Sequence, residues 1–167
     1  PNVATVPTGA SNRTFAVWAK VGAYENDSAI WHHGSNGNQQ DFSLELTGAA
    51  GGFTFNGWNA DFNFDIPAAV AFDWHQFVIT YDGTTVVAYV DGNLEGSGAY
   101  ALNTPANIVR LGGPRLNNSS DHMGGLIDDF RIYSRTLSAP EVADLYTATV
   151  PEPATMSLLG LGALALI

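Results

Sequence analysis

Apolar and polar residues alternate along most of this chain. From Thr14 to Lys20, Phe15, Val17 and Ala19 fall on one face; from Asp41 to Leu46, Phe42, Leu44 and Leu46 point one way while Ser43 and Glu45 point the other. Phe53–Phe55, Phe62–Phe64, Phe77–Ile79–Tyr81, Val86–Ala88–Val90 and Ile108–Leu111 repeat the rule in shorter form, and Ile127 to Tyr133 closes the set. A period of two in runs rich in aromatic and β-branched residues predicts half-buried strands. Tyr81-Asp82-Gly83-Thr84 and Val90-Asp91-Gly92-Asn93 place Asp-Gly between strands, the strongest local signal for a hairpin. Many short strands joined by such turns predict an all-β antiparallel sandwich of the jelly-roll kind. No repeat of fixed period occurs.

One short helix is expected near the C-terminus. Ser138-Ala139-Pro140-Glu141 reads as a capping box, and Val142, Leu145 and Tyr146 then form an i, i+3, i+4 stripe that can dock on the sandwich. Pro140 is tolerated in the first turn, where its missing N–H would have no partner anyway. Val150-Pro151-Glu152-Pro153 ends the helix, and Met156 to Ile167 is almost wholly apolar. Twelve residues span about 18 Å as a helix, short of the roughly 30 Å hydrocarbon core, so the tail cannot cross a bilayer alone. The chain divides into a domain over 1–149 and a linker with an apolar tail over 150–167.

Composition narrows the function. The 167 residues suit one domain with a real core. Six Lys and Arg stand against sixteen Asp and Glu, a net charge of −10, which removes the clustered cations that nucleic acid or an anionic membrane surface would need. With 46% apolar residues and only 13% charged, the chain is not of the disordered class. It has no cysteine, hence no disulfide frame and no thiolate chemistry. Its start at Pro1 is read as a removed signal peptide or a truncation, which with the acidic composition points to a secreted or cell-surface protein.

Two stretches carry a family resemblance. Trp74-His75-Gln76-Phe77-Val78-Ile79-Thr80-Tyr81-Asp82-Gly83 with Ala88-Tyr89-Val90-Asp91-Gly92, and Gly125-Leu126-Ile127-Asp128-Asp129-Phe130-Arg131-Ile132-Tyr133 running through Ser138 to Glu141, resemble the laminin-G-like, concanavalin A-like jelly rolls of bacterial secreted proteins. The resemblance covers about Thr14 to Tyr146. It implies two packed antiparallel sheets, secretion, frequent glycan or protein binding and, in some members, a structural calcium. Val150-Pro151-Glu152-Pro153-Ala154 and the apolar run after it resemble the PEP-CTERM sorting signal of Gram-negative bacteria that make extracellular polysaccharide. That signal ends in a basic run, whereas no Lys or Arg follows Arg135 here. The resemblance implies only a transient membrane contact during sorting.

Catalysis is not expected. Glucanases of this fold carry Glu-x-Asp-x-x-Glu on one strand, placing two carboxylates about 5 Å apart; no such string occurs, and Glu45 is the sole carboxylate between Leu44 and Leu46. Asp61-Phe62-Asn63-Phe64-Asp65 has Ile66 and Phe72 where an EF-hand needs Gly and Glu, so Phe62 and Phe64 are expected inward and the polar residues outward. His32 and His33 are strand neighbours on opposite faces and do not chelate one metal. Asp128 and Asp129 sit inside a strand pattern, so one of them is expected to point inward or to a strand edge. A carboxylate buried there needs either calcium, with Asp128 as the side-chain ligand, or an ion pair with Arg131 or Arg110.

Sugar binding needs exposed aromatic faces flanked by amides and carboxylates. Asn56-Gly57-Trp58-Asn59 offers an indole on a turn, with Trp58 either a sugar platform or an anchor packed on the sandwich. The loop holding Asn117, Asn118 and Asp121 is polar and long enough to shape a site. Trp18 and Trp74 are expected in the core. Two functions follow. In the first, the protein is a non-enzymatic subunit that assembles with copies of itself into a filament, tube or sheath through Met156, Leu158, Leu159, Leu161, Leu164, Leu166 and Ile167, since an apolar strip of this size drives association. The alternative is a lectin-like module for extracellular polysaccharide, sorted to the surface by the tail. The assembly reading is favoured slightly, because it gives the apolar tail something to bury against.

Overall fold

A computed structural model describes residues 6–113 and 122–148. Ten strands and one helix follow in order: β1 Arg13–Val21, β2 Asn26–His33, β3 Ser43–Thr47, β4 Gly52–Asn56, β5 Phe62–Asp65, β6 Trp74–Tyr81, β7 Thr85–Val90, β8 Asn93–Ala99, β9 Val109–Leu111, β10 Gly125–Tyr133 and α1 Ala139–Ala148. They form two antiparallel five-stranded sheets ordered β10-β1-β6-β7-β8 and β5-β4-β3-β2-β9, a concanavalin A-like jelly-roll sandwich. The alternating residues meet between the sheets as predicted. Phe15, Val17, Ala19 and Val21 of β1 share the core with Leu44, Leu46, Phe53, Phe55, Phe77 and Ile79. Phe53 of the second sheet and Phe77 of the first bring their rings to 4.6 Å, and Phe15 meets Phe42 edge-on at 5.1 Å.

The turns obey the local chemistry. Asp91 and Gly92 both take positive φ, 51° and 78°, the geometry a two-residue turn needs to follow the strand twist. In the β6–β7 turn, one Asp82 carboxylate oxygen accepts the backbone N–H groups of Thr84 and Thr85 at 2.9 and 2.7 Å. β8 has no apolar alternation, since Asn93-Leu94-Glu95-Gly96-Ser97-Gly98-Ala99 is polar or small. Its pairing with β7 through the Asp91-Gly92 turn makes it a strand all the same. The run at Ile108–Leu111 begins its strand only at Val109, and Ile108 is exposed.

The helix starts where the capping box is read, with a variation. The Glu141 carboxylate accepts both the Ser138 N–H and the Ser138 hydroxyl at 2.8 Å, and Arg135 pairs with it at 2.7 Å. That dense set of donors holds the Glu141 carboxyl down at about 2. Val142 is buried, Leu145 and Tyr146 half-buried, and Val142 and Leu145 together with Leu137 cover Ala16, Val78 and Tyr89 on the outer face of the first sheet. Trp18 therefore belongs to this second layer: it is buried, stacked on Tyr146 at 5.5 Å, on the face opposite the main core. Trp74 is half-buried at the start of β6.

Candidate functional site

The two sheets treat their outer faces differently. The first buries apolar side chains under α1. The second carries polar ones. Because Phe42, Leu44, Leu46, Phe53 and Phe55 go inward, strand alternation sends Asp41, Ser43 and Glu45, and Thr54 and Asn56 on the neighbouring strand, outward. Register places Ser43 opposite Asn56 and Glu45 opposite Thr54. On the other side, His32 of β2 lies opposite Arg110 of β9. His33 turns inward instead, beside the Phe15 ring, with Nε2 3.3 Å from the Pro7 carbonyl, and burial lowers its pKa.

These outward polar groups are nonetheless buried. His32 and Asp41 are at 0% exposure and Glu45 at 2%, grading to half-exposed Arg110 and Thr54 and exposed Asn63 at the margins. The group is knit together. The Ser43 hydroxyl donates to Asp41 Oδ1. Asn56 Nδ2 donates to Glu45 Oε2 at 2.9 Å, and Asn56 Oδ1 accepts the Trp58 N–H at 2.7 Å. Thr54 donates to Asn63 at 2.7 Å. His32 Nε2 stands 3.4 Å from Asp41 Oδ1. At the edge of β2, Ser28 donates to the His122 carbonyl and Gly112 N–H to the Ile30 carbonyl. The result is a polar floor of carboxylate, amide, hydroxyl, imidazole and guanidinium groups, buried at its centre and reaching solvent at Arg110, Thr54 and Asn63.

Of the residues singled out in the sequence, Asn56 belongs to this floor, as a strand residue rather than a loop residue. Trp58 and Asn59 form the β4–β5 turn with φ of 61° and 58°; Trp58 is half-buried and Asn59 exposed. The Trp58 carbonyl accepts the Gln39 N–H at 2.8 Å, which fixes the turn beside the floor. Gly57 is needed there because a Cβ would sit 2.6 Å from the Ala60 carbonyl oxygen. Asn117, Asn118 and Asp121 lie outside the described residues, as do Met156, Leu158, Leu159, Leu161, Leu164, Leu166 and Ile167. Phe64 points inward, Phe62 packs against the core edge, and Asp61, Asn63 and Asp65 are exposed, so the apparent calcium loop is an ordinary strand.

β10 is an edge strand of the first sheet, so of the two placements expected for its carboxylates the strand edge is the one found, and of the two expected arginine partners it is Arg131. Asp128 lies opposite Trp18 on the outer face and is exposed, its Oδ1 accepting the Asp129 N–H. Asp129 takes φ 48° at a register shift and pairs twice with Arg131, at 2.8 and 2.7 Å. The bulge turns both carboxylates away from the core, and among the described residues no three His, Asp or Glu groups converge as metal ligands. Sequence reasoning missed His32, Asp41, Ser43, Glu45 and Arg110 as a group. The signal available was the Asp41-x-Ser43-x-Glu45 alternation, which fixes a shared face but not that the face is buried.

Two surface clefts lie apart from the floor. One, of about 460 Å³, is lined by Val6, Pro7, Thr8, Ser11, Ala106 and Asn107 and has no charged group. The other, of about 290 Å³ between β10 and α1, is crossed by the Arg135–Glu141 ion pair.

Comparison with known proteins places this geometry. A family model for the concanavalin A-like lectin/glucanases superfamily matches residues 1–143, and one for the PEP-CTERM protein-sorting motif matches 149–167. The latter indicates export and surface sorting in bacteria, and no helix among the described residues is long and apolar enough to cross a membrane. No curated protein sequence matches the chain. Among solved structures, domain 4 of AbnA, an extracellular GH43 arabinanase from Geobacillus stearothermophilus in complex with arabinotriose, is similar at a TM-score of 0.66 and 20% identity, over 84% of this chain and 68% of that one. The CBM40 of the Ruminococcus gnavus IT-sialidase, bound to α2,3-sialyllactose, gives 0.63 at 21% identity over 81% and 83%. The binding domain of botulinum neurotoxin serotype G also gives 0.63 at 21%, covering 86% of this chain and 38% of that one.

Proposed function

The chain belongs to the concanavalin A-like lectin/glucanases superfamily, and we propose that it is a non-enzymatic carbohydrate-binding module exported to the surface of a Gram-negative bacterium, where it holds extracellular polysaccharide. The observation that carries this reading is the polar outer face of the second sheet, whose accessible margin of Arg110, Thr54 and Asn63 borders the buried His32, Asp41, Ser43 and Glu45. Asp41 is held there by Ser43 and His32, and Glu45 by Asn56. Sugars offer dense hydroxyls that donate and accept at once, which fits such a surface. The half-buried Trp58 on the adjoining turn supplies an apolar edge.

Absence of catalysis is part of the proposal. Asp41 and Glu45 are tied to Ser43 and Asn56, an arrangement that fixes carboxylates as acceptors rather than freeing one as nucleophile and one as acid. Assembly through the tail rests on residues outside those described, and the sorting motif gives that segment a role of its own. The test is affinity electrophoresis of the full chain through gels containing soluble neutral and acidic polysaccharides. Retardation by at least one supports the reading; unchanged mobility in all of them overturns it.

A further inference from the structure

The two ends of the sandwich differ in chemistry. At one end the connections 34–42, 57–61 and 82–84 carry Asn, Gln, Ser and Asp. At the other, Gly22-Ala23-Tyr24-Glu25, Gly48-Ala49-Ala50-Gly51 and Pro67-Ala68-Ala69-Val70-Ala71-Phe72-Asp73 are largely small and apolar. These three loops meet. The Tyr24 hydroxyl donates to the Ala71 carbonyl at 3.0 Å, its ring stands edge-on to Phe72 at 5.3 Å, and the Ile66 N–H donates to the Gly51 carbonyl at 2.8 Å. Ala49, Ala50 and residues 67–69 are exposed, with Val70 at 39% and Phe72 at 45%. Among the described residues six large apolar side chains are exposed, and Leu94 and Leu126, near the starts of β8 and β10, join Val70 and Phe72 at this end. Apolar exposure gathered in this way marks a contact surface, whereas single exposed residues do not.

The chain also leaves the domain at this end. The Leu137 N–H donates to Thr14 just before α1, and Tyr146 stacks on Trp18, so the helix runs alongside β1 toward the same loops. Seven residues, 149–155, separate its last residue from the apolar run 156–167, and fully extended they reach about 25 Å. An apolar run of that length partitions into a bilayer. Whenever it does, the apolar end is the part of the domain kept nearest the surface, while the polar end lies a nine-residue strand, about 30 Å, away. From this we infer that the loops 22–25, 48–51 and 66–73 form a lipid-contact surface, resting Val70 and Phe72 in the headgroup boundary of a bilayer without net charge. Glu25, Asp65 and Asp73 border these loops and the chain carries −10, so anionic lipid is disfavoured. Lys20, exposed and paired with Trp74 on one side and Leu126 on the other, is placed to meet a headgroup phosphate. The surface is separate from the polar sheet face, and neither reading depends on the other.

The chain has no cysteine, so Ala69→Cys and Asn38→Cys each give the full chain one site for a polarity-sensitive fluorophore, at the apolar and the polar end. With phosphatidylcholine vesicles the Ala69 probe should shift to the blue and the Asn38 probe should not. The double variant Val70→Ser, Phe72→Ser should bind these vesicles about tenfold more weakly, and phosphatidylglycerol vesicles should bind wild type less well than phosphatidylcholine. Thermal melting checks each variant, and if the double variant unfolds, the two probes still decide. Vesicle binding with neither probe shifted would mean that the apolar run alone carries the attachment, and would overturn the inference. Equal shifts at both ends would overturn it by showing no oriented contact. An Ala69 shift that follows protein concentration without vesicles would overturn it in favour of a second copy of the chain as the partner.

Discussion

Nδ1 of His75 lies 2.7 Å from Oδ2 of Asp91, joining the first residues of β6 to the left-handed turn between β7 and β8. The other ring nitrogen meets the Val70 carbonyl at 2.9 Å, and the second Asp91 oxygen accepts the Gln76 N–H. Both ring nitrogens face acceptors, an arrangement that only the doubly protonated imidazolium satisfies with two donated hydrogen bonds.

The hydrogen bond to Asp91 raises the His75 pKa above its ordinary value of 6.5, against the opposing pull of burial. The folded protein therefore holds this proton more tightly than the unfolded chain. The stability it contributes is complete below pH of about 6.5 and fades as pH rises through the higher folded value. Thermal melts from pH 5 to 9 should show that decline in wild type and a flatter profile in His75→Gln. Equal slopes in the two proteins would show that His75 does not carry it.

Glu141 gives the opposite sign. Its folded pKa of about 2 lies below the ordinary carboxylate range, because Ser138 donates twice to it and Arg135 adds a third bond. The stabilisation is present above pH of about 4.5 and is lost as pH falls toward 2. Since α1 docks through the Trp18–Tyr146 stack, tryptophan fluorescence should report its loosening. Glu141→Gln, with no carboxyl to titrate, should leave α1 looser across the range and abolish that transition, and an unchanged transition would count against the cap.

Arg13 is fully buried, its guanidinium carbon 5.1 Å from the Phe42 ring centre and 5.2 Å from that of Tyr81. It donates to the carbonyls of Pro7, Gly9 and Ser11, tying the N-terminal segment to β1. Burial lowers its pKa to about 10, which leaves it charged at neutral pH. Lysine has no flat group to lie between the two rings. Arg13→Lys should fold but lose about 1–3 kcal/mol in denaturant unfolding, and Arg13→Ala should lose more.

Phe53 tests the core. It is fully buried, and its ring contacts Phe64 and Tyr24 as well as Phe77 across the sheets. Phe53→Ala should cost about 3–5 kcal/mol. A loss below about 1 kcal/mol would mean that the aromatic layer re-closes around the gap.

The sandwich was legible because its signal is local: Phe42-x-Leu44-x-Leu46 declares a strand and its inward face without knowledge of a partner. The Asp91-Gly92 turn and the Ser138–Glu141 cap are local in the same way. β8 escaped notice because tertiary pairing rather than alternation makes it a strand. The floor escaped for a related reason. Arg110 is far in sequence from His32 and Asp41, and only the β9–β2 pairing brings it beside them. Alternation says that Ser43 and Glu45 leave the core, but burial on an outer face depends on what the rest of the chain places over it. The facing of Asp128 and Asp129 was left open because a bulge, with Asp129 at positive φ, interrupts the alternation between Ile127 and Phe130.

The most direct test is an amide NMR titration of the full chain with a soluble neutral polysaccharide that retards it. The floor predicts shifts concentrated at Asp41, Ser43, Glu45, Asn56, Trp58 and Arg110, with α1 and β7 unmoved. Shifts confined to the face under α1, or to the cleft at Pro7 and Asn107, would contradict it.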